Sequence, residues 1–160
     1  MNEQSSRSMD WIETTVKHHE NRLFRIAVAV MGNKSDAEDI VQDVFMTLIE
    51  KQPHFETPEH ETAWLVRITV NACKSRLRSH WWKKKTPLLD DYPAQTNEQH
   101  DLLETVFLLS PKYRTVIHLF YYEGYSTREI AKLTAQKEST VREQLTRARR
   151  ILKGLLEGER

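Results

Sequence analysis

The stretch EGYSTREIAKLTAQKESTVREQLTRARR, residues 123–150, decides the fold of the C-terminal half. Ser126, followed three residues later by Glu129, forms a capping box that predicts the start of a helix. A turn over residues 134–137 follows. The last helix then carries apolar residues at alternating spacings of four and three: Val141, Leu145, Ala148 and Leu152. A short helix, a tight turn and an amphipathic helix together are typical of a helix-turn-helix.

The outer face of this last helix is polar and mostly basic. When the apolar stripe is buried, seven residues face solvent or border the stripe: Ser139, Arg142, Glu143, Thr146, Arg147, Arg149 and Arg150. A helix fits the major groove of DNA, where an arginine such as Arg142 can bond a guanine twice, worth about 1–3 kcal/mol of discrimination. An ordinary amphipathic helix at the end of a bundle has the same spacing. The added capping box, turn and basic charge favour DNA binding.

Three further helices are predicted in the N-terminal half. Asp10 with Glu13, and Ser35 with Glu38, form two more capping boxes, so helices are expected to begin at Asp10 and at Ser35. The third helix follows Pro58. Apolar residues recur at helical spacing in all three segments, and no segment has the alternation of a strand. The pattern therefore predicts an all-α protein.

Residues 86–99 divide the chain into two parts. This segment contains Pro87 and Pro93 and has no sustained apolar period, which is typical of a linker. We therefore predict two small helical domains, residues 10–85 and residues 100–157, joined by a flexible linker.

The charges are segregated along the chain, although 24 basic and 23 acidic residues almost cancel. Residues 34–61 hold eight acids and two bases, and residues 90–110 hold five acids and no base. Residues 62–89 hold seven bases and no acid, and residues 126–153 hold eight bases and three acids. Solvated helix faces can produce any one such block. Two basic blocks, each beside a specific motif, indicate two surfaces for a polyanion.

The composition disfavours several classes of protein. No apolar run approaches the roughly 18–20 residues that a bilayer span needs, and the N-terminus lacks a signal-peptide core, so a cytoplasmic location is expected. The single cysteine, Cys73, excludes a disulfide framework. The four glycines form no phosphate-binding loop, and no His-Glu-x-x-His motif or activated nucleophile is present. We therefore expect no enzyme activity, no cofactor, no metal site and no small-molecule substrate.

Motifs in both halves resemble those of one known family. Residues 109–114 (LSPKYR), 123–131 (EGYSTREIA) and 139–142 (STVR) resemble region four of bacterial sigma factors. Residues 36–45 (DAEDIVQDVF) and 63–71 (AWLVRITVN) resemble region two of the extracytoplasmic-function (ECF) group, group IV of the sigma-70 family. The two sets of motifs stand in the family's order along the chain.

The resemblance implies an alternative sigma factor that binds the RNA polymerase core and directs promoter-specific transcription initiation in a stress or envelope response. Its partners would be the β′ clamp and β flap of the polymerase, promoter DNA, and an anti-sigma factor, which in this family is often membrane-bound. The residues alone leave two alternatives open. One is a stand-alone helix-turn-helix transcriptional regulator, and the other is a sigma-like module that binds polymerase without using DNA.

The resemblance also implies roles for particular residues of the N-terminal half. The polymerase-docking surface would comprise Asp39, Gln42, Asp43 and Met46. The surface for the minus-ten element, where DNA is opened, would comprise Phe55, Asn71, Lys74, Arg76, Arg78, Trp81 and Lys83. Trp81 beside basic residues suits stacking on a single strand, but it suits covering the edge of the core or contacting polymerase equally well.

In the C-terminal half the resemblance implies a surface that reads the minus-thirty-five element. Its residues would be Ser126, Thr127, Lys137, Ser139, Thr140, Arg142, Glu143, Thr146, Arg147 and Arg149. Glu143 departs from the basic or small residue that is usual in the family, and Ser75 replaces a common Asp. Because Glu can accept from a cytosine amino group, Glu143 would change the preferred promoter sequence rather than prevent binding.

Overall fold

The computed structural model describes residues 3–79 and 104–158, with side chains from Met9 onward. The described N-terminal part forms three long helices: α1 (Glu3–Met31), α2 (Lys34–Lys51) and α3 (Pro58–Ser79). After a helical turn at residues 104–107, the second part forms α4 (Pro111–Ile117), a π-helical turn (His118–Tyr122), α5 (Thr127–Leu133) and α6 (Glu138–Gly158). All elements of the described residues are helical, as predicted. Trp81, Lys83 and the predicted linker at residues 86–99 lie outside the described residues.

Both predicted capping boxes of the N-terminal half are wrong. Helix α1 begins upstream at Glu3, so Asp10 lies inside the helix, where its carbonyl accepts a hydrogen bond from Thr14 at 2.9 Å. Helix α2 is capped by Asn33 rather than by Ser35. The Asn33 side chain accepts from the backbone N–H of Asp36 at 2.8 Å, and an Asn satisfies this requirement as well as a Ser.

The junction of α1 and α2 depends on Gly32. Its φ of +79° is in the left-handed region, and its N–H donates to the carbonyl of Val28 at 2.7 Å, which closes the C-terminus of α1. The guanidinium of Arg114 approaches within 3.4 Å of the position that a Cβ would occupy here. A larger residue would therefore be strained both by its backbone and by this contact.

The helix-turn-helix forms as predicted. Ser126 caps α5, and the capping box with Glu129 is complete, since each side chain bonds the other's backbone N–H. A short turn then leads into α6. Its apolar stripe is buried by packing on α4 and α5, with Val141, Leu145 and Ala148 inside. Burial of each large side chain contributes about 1.5–3 kcal/mol to holding α6 in place.

The two halves share one hydrophobic core. Helix α1 packs on α2 and α3 within the first half, and it also packs on α4 of the second half, while α3 contacts α5. The core runs without interruption through side chains of both halves, including Leu23, Ile26, Met31, Val66, Leu119, Ile130 and Leu145. The two predicted helical domains are both present, and the described residues show that they also pack against each other.

Within the described residues, no helix combines the length and the apolar character needed to cross a bilayer.

Candidate nucleic-acid interface

The outer face of α6 is open to solvent. Arg142 is 59% exposed by side-chain area, and Ser139 and Thr146 lie exposed on the same side of the helix. The buried stripe lies on the other side, so the helix is anchored by one face and presents the other. This arrangement leaves the predicted reading residues accessible to a DNA groove.

An ion pair orients Arg142. Its guanidinium lies 3.1 Å from the carboxylate of Glu138, which also accepts a hydrogen bond from the hydroxyl of Thr127 at 3.0 Å. Glu138 thereby links the N-terminus of α5 to the first turn of α6. Glu143 is paired with Arg147 at 2.6 Å one turn further on. Exposed pairs of this kind contribute little in water, so the arginines can exchange these partners for DNA at small cost.

The start of α5 is held by its own capping residues. The hydrogen bonds from the backbone and side chain of Ser126 hold the pKa of Glu129 below its usual value. Lys137 is exposed in the turn before α6, and Thr140 is half-buried. Lys137 and the α5 N-terminus therefore lie beside the first turn of α6.

Arg149 is placed differently from the other predicted reading residues. Its guanidinium donates to the hydroxyl of Tyr121 at 2.6 Å and lies over the rings of Phe120 and Tyr121, 5.6 and 5.5 Å from their centroids. These contacts join α6 to the π-helical turn.

Helix α3 divides its predicted residues between two faces. Asn71, Lys74 and Arg78 follow at spacings of three and four, and they share one face. Arg76 points the other way and bonds the carboxylates of Asp36 at 2.9 Å and Asp39 at 3.1 Å. The structure therefore separates Arg76 from the other bases and joins it to α2.

Lys74 is engaged by the second half. Its ammonium donates to the carbonyl of Thr134, in the helix-turn-helix turn, at 2.6 Å. Burial and, to a lesser degree, the charge of Arg78 lower the pKa of Lys74. One residue of the predicted minus-ten surface is thus in contact with the predicted minus-thirty-five domain.

Phe55 lies in the loop before α3, as predicted. Its half-buried ring makes edge contacts with His60 and Trp64, with centroids 5.3 and 5.6 Å apart. These contacts fix the loop against the first turns of α3 and leave part of the ring accessible at the same end of the helix.

The predicted docking residues share the exposed face of α2. Asp39, Gln42, Asp43 and Met46 are all exposed, Met46 by 54%, while Ile40, Val44 and Leu48 are buried on the opposite face. The strip is acidic at its N-terminal end and apolar at its C-terminal end.

Sequence reasoning missed two residues of these surfaces. Ile49 is exposed and continues the docking strip one turn beyond Met46. Arg67 is exposed four residues before Asn71 and lies on the same face of α3. In each case the helical spacing of three or four could have identified the residue, because the outward side of these helices follows directly from the buried side.

The chain matches two family models. Residues 15–83 match sigma-70 region 2, and residues 100–152 match sigma-70 region 4. The ECF RNA polymerase sigma factor SigM of Mycobacterium tuberculosis (strain H37Rv) is 30% identical over 145 residues, which cover 88% of this chain and 74% of SigM. The RNA polymerase sigma factor SigV of Bacillus subtilis (strain 168) is 28% identical over 148 residues, which cover 88% of this chain and 87% of SigV.

A solved structure matches over both halves. The sigma factor RpoE of Bartonella quintana, solved in complex with the anti-sigma factor NepR, superposes with a TM-score of 0.73. It is 25% identical, and the match covers 92% of this chain and 98% of RpoE.

Proposed function

The chain belongs to the ECF sigma factors, and we propose that each of its exposed surfaces performs one step of the initiation that this family directs. It is an alternative sigma factor that directs RNA polymerase to promoters. The catalytic chemistry of transcription then belongs to the polymerase, and the sigma factor supplies recognition. We further propose that the protein acts in the cytoplasm and takes part in a stress or envelope response.

The exposed strip of α2 is the surface that docks the β′ clamp of the polymerase. Its acidic end offers Asp39 and Asp43 to a basic partner, and its apolar end offers Met46 and Ile49 for burial. A charged rim beside an apolar contact is the usual composition of a specific protein interface. Arg76 bonds Asp39 from behind and limits its freedom.

The outer face of α6 reads the minus-thirty-five element. Arg142 is positioned to bond a guanine in the major groove, and Glu143 to accept from a cytosine amino group. Ser126, Thr127, Lys137, Ser139, Thr140, Thr146 and Arg147 surround this pair and can bond phosphates. Arg149 supports the helix from the edge of the interface, where it bonds Tyr121.

The exposed face of α3 and the nearby loop capture the opened strand of the minus-ten element. Asn71 offers both a donor and an acceptor to a base edge, and Phe55 offers a ring for stacking. Lys74, Arg78 and Arg67 supply charge for the backbone along the same face. Arg76 can join them only by leaving Asp36 and Asp39. Trp81 and Lys83 continue the same basic segment and are proposed to extend the contact.

The polymerase β flap and an anti-sigma factor are the further protein partners that we propose. The anti-sigma proposal is supported by the fold match to RpoE, which was solved with the anti-sigma factor NepR.

The main support for this proposal is that Arg142 is exposed on a helix-turn-helix and that this helix-turn-helix lies within the match to sigma-70 region 4. Run-off transcription with purified core polymerase tests it on genomic promoter fragments. Specific initiation by the reconstituted enzyme supports the proposal. Core binding without initiation would instead identify a sigma-like decoy, and tight specific DNA binding without polymerase would identify a stand-alone regulator.

A further inference from the structure

Glu138, in the first turn of α6, binds two side chains through one oxygen atom. Its Oε1 accepts a hydrogen bond from the hydroxyl of Thr127 at 3.0 Å and lies 3.1 Å from Nη1 of Arg142. Thr127 belongs to α5, whereas Arg142 lies one turn further along α6. The carboxylate of Glu138 therefore ties the side chain of Arg142 to a second helix.

Thr127 is a rigid anchor for this carboxylate. It is the first residue of α5 and directly follows the N-cap Ser126, whose capping box with Glu129 fixes the start of the helix. Thr127 is also half-buried, and its branched Cβ restricts the rotation of the side chain. The hydroxyl of Thr127 therefore holds the carboxylate of Glu138 in one place.

The other ion pair on the outer face of α6 lacks such an anchor. Glu143 lies 2.6 Å from Arg147, and both side chains are exposed. Among the described residues, neither of them is hydrogen-bonded to another helix. Exposed pairs within one helix form and break readily in water. Of the two pairs, only that of Glu138 with Arg142 is thus held from outside α6.

The contact with Glu138 leaves one edge of the Arg142 guanidinium available. A guanidinium has five N–H donors in a planar fork, and Glu138 occupies the side of Nη1. The edge formed by Nε and Nη2 still offers two parallel donors, which is what a bidentate bond to a guanine requires. Arg142 can leave Glu138 at small cost, but it need not do so to bond a base.

We propose that Glu138 is a positioning residue that sets how strongly Arg142 discriminates between bases. This inference rests on the proposed function. A free arginine side chain samples many rotamers and must be ordered when it binds, whereas one held by Glu138 already presents its Nε and Nη2 edge. The carboxylate also offsets the charge of Arg142, so this arginine contributes less to the sequence-independent attraction of phosphates. Glu138 thus favours discrimination over general affinity.

Glu138→Ala removes both effects. The preference of the polymerase-bound protein for the base pair that Arg142 reads should fall about five-fold, because Arg142 must then be ordered on binding. The salt dependence of promoter binding should become steeper, since one positive charge is no longer offset.

Glu138→Gln separates positioning from charge. Its Oε1 can accept the same two hydrogen bonds, so this variant should retain most of the base preference of the parent chain. It should nevertheless show the steeper salt dependence, because the negative charge is gone. Both variants remove the same charge from the N-terminus of α6, so an effect on the helix dipole alone would be equal in the two.

These expectations are tested with polymerase reconstituted from purified core and each full-length chain. Binding is measured on promoters that carry single substitutions across the minus-thirty-five element. Glu157→Ala, exposed near the other end of α6, is the control with the same charge change and should keep the base preference of the parent. Identical base preferences for the parent and Glu138→Ala would overturn the proposal. An equal loss of preference in Glu138→Ala and Glu138→Gln would overturn it as well.

A double variant tests whether Glu138 acts through Arg142. Adding Glu138→Ala to Arg142→Ala should reduce the base preference no further than Arg142→Ala does, because the side chain to be positioned is already absent. A further reduction would show that Glu138 contacts a base itself, which would contradict a positioning role.

The mobility of Arg142 in the free chain is measured by NMR relaxation of its Nε–H group, which reports motion on the picosecond-to-nanosecond timescale. The guanidinium should be restricted in the parent and in Glu138→Gln, and mobile in Glu138→Ala. Equal mobility in the parent and Glu138→Ala would overturn the proposal, whether or not the chain directs initiation. If the parent chain failed to direct initiation, the proposed function would fail, while this measurement would still decide whether Glu138 positions Arg142.

Discussion

Helices α3 and α6 both carry a basic face, but two bases of α3 are bonded to neighbouring helices and turns, whereas Arg142 of α6 pairs within its own helix. Within residues 3–79 and 104–158, Arg142 on α6 pairs with the half-buried Glu138 of the same helix, whereas Lys74 on α3 is bonded to the turn of the other half. Arg76 on α3 is bonded to two carboxylates of α2. The comparison shows that basic residues can be accessible to a ligand on one helix and bonded to other parts of the protein on another helix. The accessibility of these basic side chains depends on which neighbouring elements the fold packs against each helix.

The largest effect is expected from the docking strip, because the proposed DNA contacts direct initiation only when the chain is bound to polymerase. Reversal of both carboxylates, Asp39→Lys with Asp43→Lys, should weaken core binding about 100-fold or more, since like charges then face each other across the interface. Core affinity is measured by a pull-down titration, and circular dichroism checks that helicity is kept. Glu13→Lys with Glu20→Lys on α1 is the control with the same charge change. Unchanged core affinity of the α2 variant would refute the docking assignment.

The free face of α6 gives the next largest effect. Arg142→Ala should cost about 1–3 kcal/mol in recognition of the upstream promoter element and relax specificity at one base pair. Transcription from a set of promoters with single substitutions measures both. Lys153→Ala, further along the same helix, should change neither. If initiation is insensitive to the loss of Arg142, this side chain does not read a base.

A comparison within α3 tests whether Lys74 is engaged. In the free chain, Arg78→Ala should lower the salt slope of binding to single-stranded oligo(dT) by about 0.7, because one phosphate contact is lost. Lys74→Ala should leave that slope unchanged, since its ammonium is bonded to Thr134. In the polymerase-bound protein both variants should lower the slope. Equal effects of the two variants in the free chain would show that Lys74 is already accessible.

The smallest effect concerns Glu123. Burial would raise its pKa, but the hydrogen bond from His118 and the charges of His118 and Arg25 outweigh burial and hold the pKa below its usual value. A depressed carboxyl pKa adds stability that is complete above the unfolded value, near pH 4.3, and is lost as the pH falls through the folded value. Glu123→Gln should remove this dependence. Urea unfolding between pH 3 and pH 6 measures it, and parallel curves for the two proteins would contradict the prediction.

The sequence predicted some helix starts correctly and others wrongly, for identifiable reasons. The predicted capping box of Ser126 and Glu129 is confirmed, and buried apolar residues follow it in α5. Ser35 with Glu38 fits the capping-box pattern, but Asn33, two residues upstream, caps α2 through its bond to the backbone N–H of Asp36. Asp10 fits the same pattern inside a helix, since a capping pair is a local signal that cannot exclude continuation of the helix upstream.

The candidate surfaces could be predicted from the sequence wherever the buried apolar face of a helix defines its exposed face. The outward positions of Met46 on α2 and Arg142 on α6 could be predicted, because the apolar stripe fixes which side is buried. The partners of Arg76 and Arg149 could not be predicted. They lie on other helices, and helical spacing carries no information about the neighbour across a packing interface.

The sequence by itself determined the helices, the helix-turn-helix and the family, because these depend on local spacing, capping chemistry and motif order. Only the tertiary structure decided that the two halves share a core and that Lys74, Arg114 and Glu123 connect them. Arg114 and Ala29 are 85 positions apart in the chain, and contacts over such separations depend on how helices pack. No local pattern specifies that packing.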